Sequence, residues 1–224
     1  NGTATASEGL DVSALSRRVE SSVVTKAGHI PATSTFGLGG AVAVHIASVR
    51  NEARLKSAAR YALEGAVNVE AAIAHGMFET IGDASGKRVR KALALGPIDI
   101  PLIDMPTYRA DSVGVGAGIA VGVIGVDVSA VVEDNVNFNN QKKLNSLRVA
   151  AAFSGTEELR AAAGASGGIS ATPVAATDIS GVMVEAYLGK SGETAQTLGD
   201  IAVTAHSSIE RTLTADAAAA GARV

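Results

Sequence analysis

The sequence predicts an all-β, repetitive architecture: an elongated stack of β-solenoid or β-helix type, built from units of about 55 residues. Three observations predict it. Two motifs alternate along the chain, and each is a run of β-branched and small residues with period-two alternation. The third is the filling of the core: 47% of the 224 residues are apolar but only 3% are aromatic, with no tryptophan. An interior of Ala, Val, Ile and Leu packed to ordinary density requires backbones that approach closely.

The first motif opens as "GLDVSA" (9–14) and returns as "AVNVEA" (66–71), "SLRVAA" (146–151) and "DIAVTA" (200–205). Each copy places an apolar residue, a valine and an alanine at alternate positions, the pattern of a short strand with one buried face. The aligned residues Leu10, Val67, Leu147 and Ile201 lie 57, 80 and 54 positions apart. The middle interval therefore holds an insertion of about 25 residues, at 87–112. The second motif is a longer strand at 36–55, whose "GLGGAVAVHIASVRNEARL" aligns with "GVGAGIAVGVIGVDVSAVV" at 114–132. Val42, Val44, Ile46, Val49, Ala53 and Leu55 fall on Ile119, Val121, Val123, Val126, Ala130 and Val132. A more divergent copy over 174–188 continues the pattern through Ile179, Val182, Val184, Ala186 and Leu188. In the first two copies the alternation changes phase once, which predicts a bulge or corner, with glycines permitting the bend and valines facing the stack.

Such a unit cannot close a core alone, because each strand leaves its backbone edges unpaired; stacking units pairs the edges and aligns the Val and Ala rows. Residues 1–224 are thus expected to form a single repetitive domain. The competing architecture is an α/β domain, since "NEARLKSAARYALEG" and "TEELRAAAGA" are rich in helix-forming residues. Short helices in the variable segments would also fit the stack.

Composition narrows the function. A net charge of −3, with both signs dispersed, favours no nucleic-acid partner. Without cysteine there are neither disulfides nor thiolate metal sites. The apolar run from Val113 meets Asp127 after about thirteen uncharged residues, short of the roughly 20 that a spanning helix needs, so no membrane span is expected. The first residues carry neither a signal-peptide pattern nor an initiator methionine and read as a processed chain or a piece of a longer one. Gly114, Gly116 and Gly118 approach a dinucleotide fingerprint, but Ile119 holds the last glycine position and the glycines precede the strand instead of following it.

No catalytic or cofactor site is expected. His29, His45, His75 and His206 show no metal-ligand spacing, and there is no nucleophile elbow, P-loop or S-x-x-K. His206 falls where Ala72 and Ala152 stand in other copies and reads as an edge or surface residue. A polysaccharide-active β-helix enzyme is the alternative, with Asp99, Asp104 and Asp111 as its only compact carboxylate set; a solvated loop is the default reading of them. Glu133, Asp134, Asn135, Asn137, Asn139 and Asn140 offer oxygens suited to calcium but lack its loop spacings, and they read as turn formers. In the insertion, Ile98, Ile100, Leu102, Ile103 and Met105 are too apolar to be left in water. They either cap the side of the stack or, with Tyr108, form a partner contact.

The quoted stretches, with "EGAVNVEAAI" and "NSLRVAAAF" following them, resemble the repeats of giant leukotoxin-type and filamentous-haemagglutinin-like adhesins of Gram-negative bacteria. The resemblance covers about residues 9–86 and 110–221, and departs from the pattern at His45 and Gly122, where Asn is common. It implies a structural or adhesive segment, a stalk or adhesin repeat, at the bacterial cell surface or outside the cell. The implied partners are further repeats or other copies end to end, which would make a self-assembling filament, and a host or neighbouring-cell surface.

Overall fold

A computed structural model describes residues 3–6, 9–27, 36–57, 60–63, 65–84, 113–136, 138, 144–167, 169–190 and 197–221. Its regular elements are all strands: β1 (Thr3–Ala6), β2 (Gly9–Ser16), β3 (Val19–Lys26), β4 (Phe36–Leu55), β5 (Arg60–Leu63), β6 (Gly65–Ala84), β7 (Val113–Val132), β8 (Leu144–Gly167), β9 (Ile169–Ala171), β10 (Val174–Leu188) and β11 (Thr197–Gly221). Every pairing among them is parallel. The chain passes alternately between a sheet of order β10-β7-β4, with β9 beside β7, and a sheet of order β11-β8-β6-β2, with β3 also on β6. A small β1-β5 pair completes the set.

The repeat alignment holds residue for residue. Val42, Val44, Ile46 and Val49 pair with Ile119, Val121, Val123 and Val126, and Ile179 and Val182 follow on the next strand. Leu10, Val67, Leu147 and Ile201 form one column through four coils. Side chains that stack in such columns meet the same neighbour at each level, so repetition of residue type secures the register.

The all-β class holds among the described residues; its α/β competitor and two finer expectations are corrected. First, the described residues contain no helix: Asn51–Leu55 lies within β4, Arg60–Leu63 is β5, and "TEELRAAAGA" lies within β8. Helix propensity differs by less than about 1 kcal/mol per ordinary residue. For β8, whose edges are paired by β6 and β11, the backbone ladder and burial outweigh it.

Second, β4 and β7 have no bulge; their register runs unbroken from Phe36↔Val113 to Leu55↔Val132. What changes along these strands is the residue class that faces inward. Third, and for the same reason, the valines of the first half do not face the stack. Gly37, Gly39, Ala41 and Ala43 point in, while Leu38, Val42, Val44 and Ile46 point out, Ile46 being 76% exposed. Gly116 and Gly118 lie against the backbone of Gly164 and Ala162 in the opposite sheet, where a Cβ has no room. The interior is therefore narrow in one half, closed by Gly and Ala.

In the other half it widens. Val126, Val128 and Val132 face Val67, Val69, Ile73, Leu147 and Phe153 in the main buried cluster. Burial of each large side chain there contributes about 1.5–3 kcal/mol. The irregularities fall in the second sheet, between Ile73 and Gly76, Gly65 and Ala66, and Thr197 and Asp200. The Phe153 ring fills the first of these: a Cβ on Gly155 would stand 2.7 Å from its Cζ.

Candidate functional site

Where the narrow and wide halves meet, the interior turns polar. The inward row at this level is His45 on β4, Gly122 on β7 and Asp178 on β10. His45 is buried, with Nε2 2.7 Å from Ser21 Oγ on β3 and Nδ1 3.0 Å from Thr80 Oγ1 on β6. Removal from water, opposed by a backbone hydrogen bond at Glu79, holds its pKa below the usual histidine value. The serine–histidine–hydroxyl chain has the connectivity of a nucleophile and its base, but the third member is a threonine and offers no counter-charge to an imidazolium. Its evident work is to satisfy three polar groups at once and tie β4 to β3 and β6.

The matching cluster lies at the other end, between β8 and the end strands β10 and β11. Glu157 of β8, 2% exposed, accepts a hydrogen bond at Oε2 from Arg211 Nε of β11 at 3.1 Å. Ser180 Oγ donates to Asp178 Oδ2 at 3.0 Å. The remaining oxygens, Glu157 Oε1 and Asp178 Oδ1, are buried and have no donor. Burial first, and then the neighbouring Asp178 carboxyl, push the Glu157 pKa up. The nearby Asp178 carboxyl thus favours the protonated form of Glu157. Between the clusters, Leu159 occupies the space over Gly122.

Further ties join successive coils. Asn51 Nδ2 donates to the carbonyls of Ala14 and Ala72 at 2.9 and 2.8 Å, bridging the sheets where β2 ends. Glu133 accepts from Ser57 N and Arg54 Nη1, each at 3.0 Å, and these donors, Ser57 first, lower its pKa. Asp134 accepts from Lys190 N and Tyr187 Oη at 2.9 Å, with the same consequence. One acid thus reaches back a coil and the next reaches forward. Asn135 has a left-handed φ of 59°, the turn role expected of it.

On the outer face, the row Ser48, Gly125, Gly181 presents almost no side chain and leaves an open depression of about 400 Å³ between Val49, Arg50, Asp127 and Met183. Among the described residues nothing pairs with the outer edges of β10 and β11, nor with those of β2, β3 and β4. β11 leaves Ile201, Val203 and Leu213 exposed.

The residues singled out from sequence divide accordingly. Glu133 and Asp134 prove to be inter-coil ties, and His206 is exposed on β11. The insertion residues Ile98, Ile100, Leu102, Ile103, Met105 and Tyr108, like Asp99, Asp104, Asp111, Asn137, Asn139 and Asn140, lie outside the described residues. Sequence reasoning missed Asn51, Glu157, Asp178 and Arg211. Parity was the available signal, since Asp178 takes the position of His45 in the repeat alignment. No helix among the described residues is long and apolar enough to cross a membrane. Comparison with protein-family models, curated proteins and solved structures finds no match.

Proposed function

We propose that the chain is a structural segment of an extended, solenoid-type parallel stack, serving as a stalk or adhesive repeat of an extracellular bacterial surface protein without catalysis of its own. The observation that carries this reading is the repetition down the columns. Val12, Val69, Val149 and Val203 form one row through four coils, and Ala14, Ala71, Ala151 and Ala205 form the next inward row. A surface devoted to its own repetition has the logic of a repeat protein. The resemblance to adhesin repeats supports the location, and the lack of cysteine is compatible with it. A neighbouring-cell or host surface is the partner this role implies.

Electron microscopy and small-angle scattering on the purified chain at several concentrations test the reading. A 20-residue strand such as β4 spans about 65 Å, and coils add about 4.8 Å each. An elongated particle with that long dimension supports a structural segment, and growth into fibres points to the filament form of it. A compact globule, or turnover of polysaccharide, overturns it.

A further inference from the structure

The two end edges, unpaired among the described residues, are complementary, and we propose that the β10–β11 edge of one copy stacks in register on the β2–β3–β4 edge of a second copy, Asp178 of the first meeting His45 of the second. The inference rests on the stacked-segment reading and names its partner. Extending the observed columns by one coil brings Ile201, Val203 and Ala205 onto Leu10, Val12 and Ala14 of the second copy. On the other sheet, Ala176, Val182, Ala186 and Leu188 meet Ala43, Val49, Ala53 and Leu55. Each of these rows pairs small with small and large with large, as the rows within the chain do.

Charge supports the same register. Asp178, whose Oδ1 is buried without a donor, falls beside His45. Asp216 falls beside Lys26, repeating the Lys26↔Asp83 neighbours inside the chain. Two like-charge neighbours arise on the outer face, Glu185 with Glu52 and Glu210 with Glu20. Those acceptor glutamates already carry partners, Arg50 on Glu52 and Arg18 on Glu20. Long open parallel edges with exposed Ile201, Val203 and Leu213 recruit a further strand unless something blocks them.

Since the chain has no cysteine, the junction can be tested on a clean background. Ser13 and Thr204 are exposed and stand in the same column, so the proposed junction places Ser13 of one copy beside Thr204 of the other. Adjacent strands lie about 4.8 Å apart, within disulfide reach. S13C and T204C chains, mixed under mild oxidation, should give a covalent heterodimer whose yield rises with concentration. S13C mixed with T212C, eight positions off register, should stay at background. No heterodimer, or equal yields from both mixtures, overturns the junction; if scattering still shows the elongated stack, the structural-segment reading survives that result. A globular particle in scattering removes both.

Discussion

His45 and Asp178 occupy the same inward row of one sheet, two strands apart, with Gly122 between them. The row marks the level at which the interior passes from glycine and alanine to valine, leucine and phenylalanine. Hydrogen-bonded polar groups at that level peg one sheet to the other, because a slip by one residue would turn His45 to solvent, put Val44 or Ile46 in its place and leave the Ser21 and Thr80 hydroxyls unpaired.

His45→Ala should destabilise the chain by about 2 kcal/mol, since it leaves the Ser21 and Thr80 hydroxyls without their ring partner. The depressed pKa also sets a pH dependence. The folded chain resists protonation that the unfolded chain accepts, so the stability from neutral His45 is complete above the ordinary histidine pKa and is lost as pH falls through the folded value. Denaturant midpoints across that range should fall in the parent and flatten in His45→Gln.

Glu157 runs the other way. Its raised pKa means stability that is full below the ordinary glutamate value and is lost as pH rises through the folded one. Glu157→Gln keeps an acceptor for Arg211 and supplies a permanent N–H for Asp178. It should raise the denaturation midpoint at neutral pH by about 1 kcal/mol of stability, with little change in acid. A lower midpoint at neutral pH would show that the carboxylate itself is required.

Along β7 and β10 glycine matters on the inward face only. Gly118→Ala should cost about 3 kcal/mol or prevent folding, because the new methyl meets the Ala162 backbone. Gly181→Ala, with nothing within 4 Å of its Cβ, should be neutral or slightly stabilising. Thermal melts of the two variants give the comparison directly.

The strands and their register were legible in the sequence because each column repeats one residue class, so aligning the copies amounts to pairing the strands. Val12, Val69, Val149 and Val203 show this most plainly. Which face turns inward was not legible in the first half of β4. Val42 and Val44 look like core by hydrophobicity, yet the nearness of the opposite backbone at Gly116 and Gly118 excludes them. That nearness is a property of two sheets together. The polar clusters were hidden similarly, since Glu157 meets Arg211 across 54 residues and Asp178 through a different sheet.

The most direct test of the parallel, registered stack is a set of backbone proton NOEs in solution on isotope-labelled chain. A registered parallel stack gives interstrand cross-peaks linking the segments around Val44, Val121 and Thr177, and likewise those around Val12, Val69, Val149 and Val203, in the parallel pattern. Sequential helix-type cross-peaks over residues 51–57 and 156–165, or strand cross-peaks in antiparallel register, would contradict it.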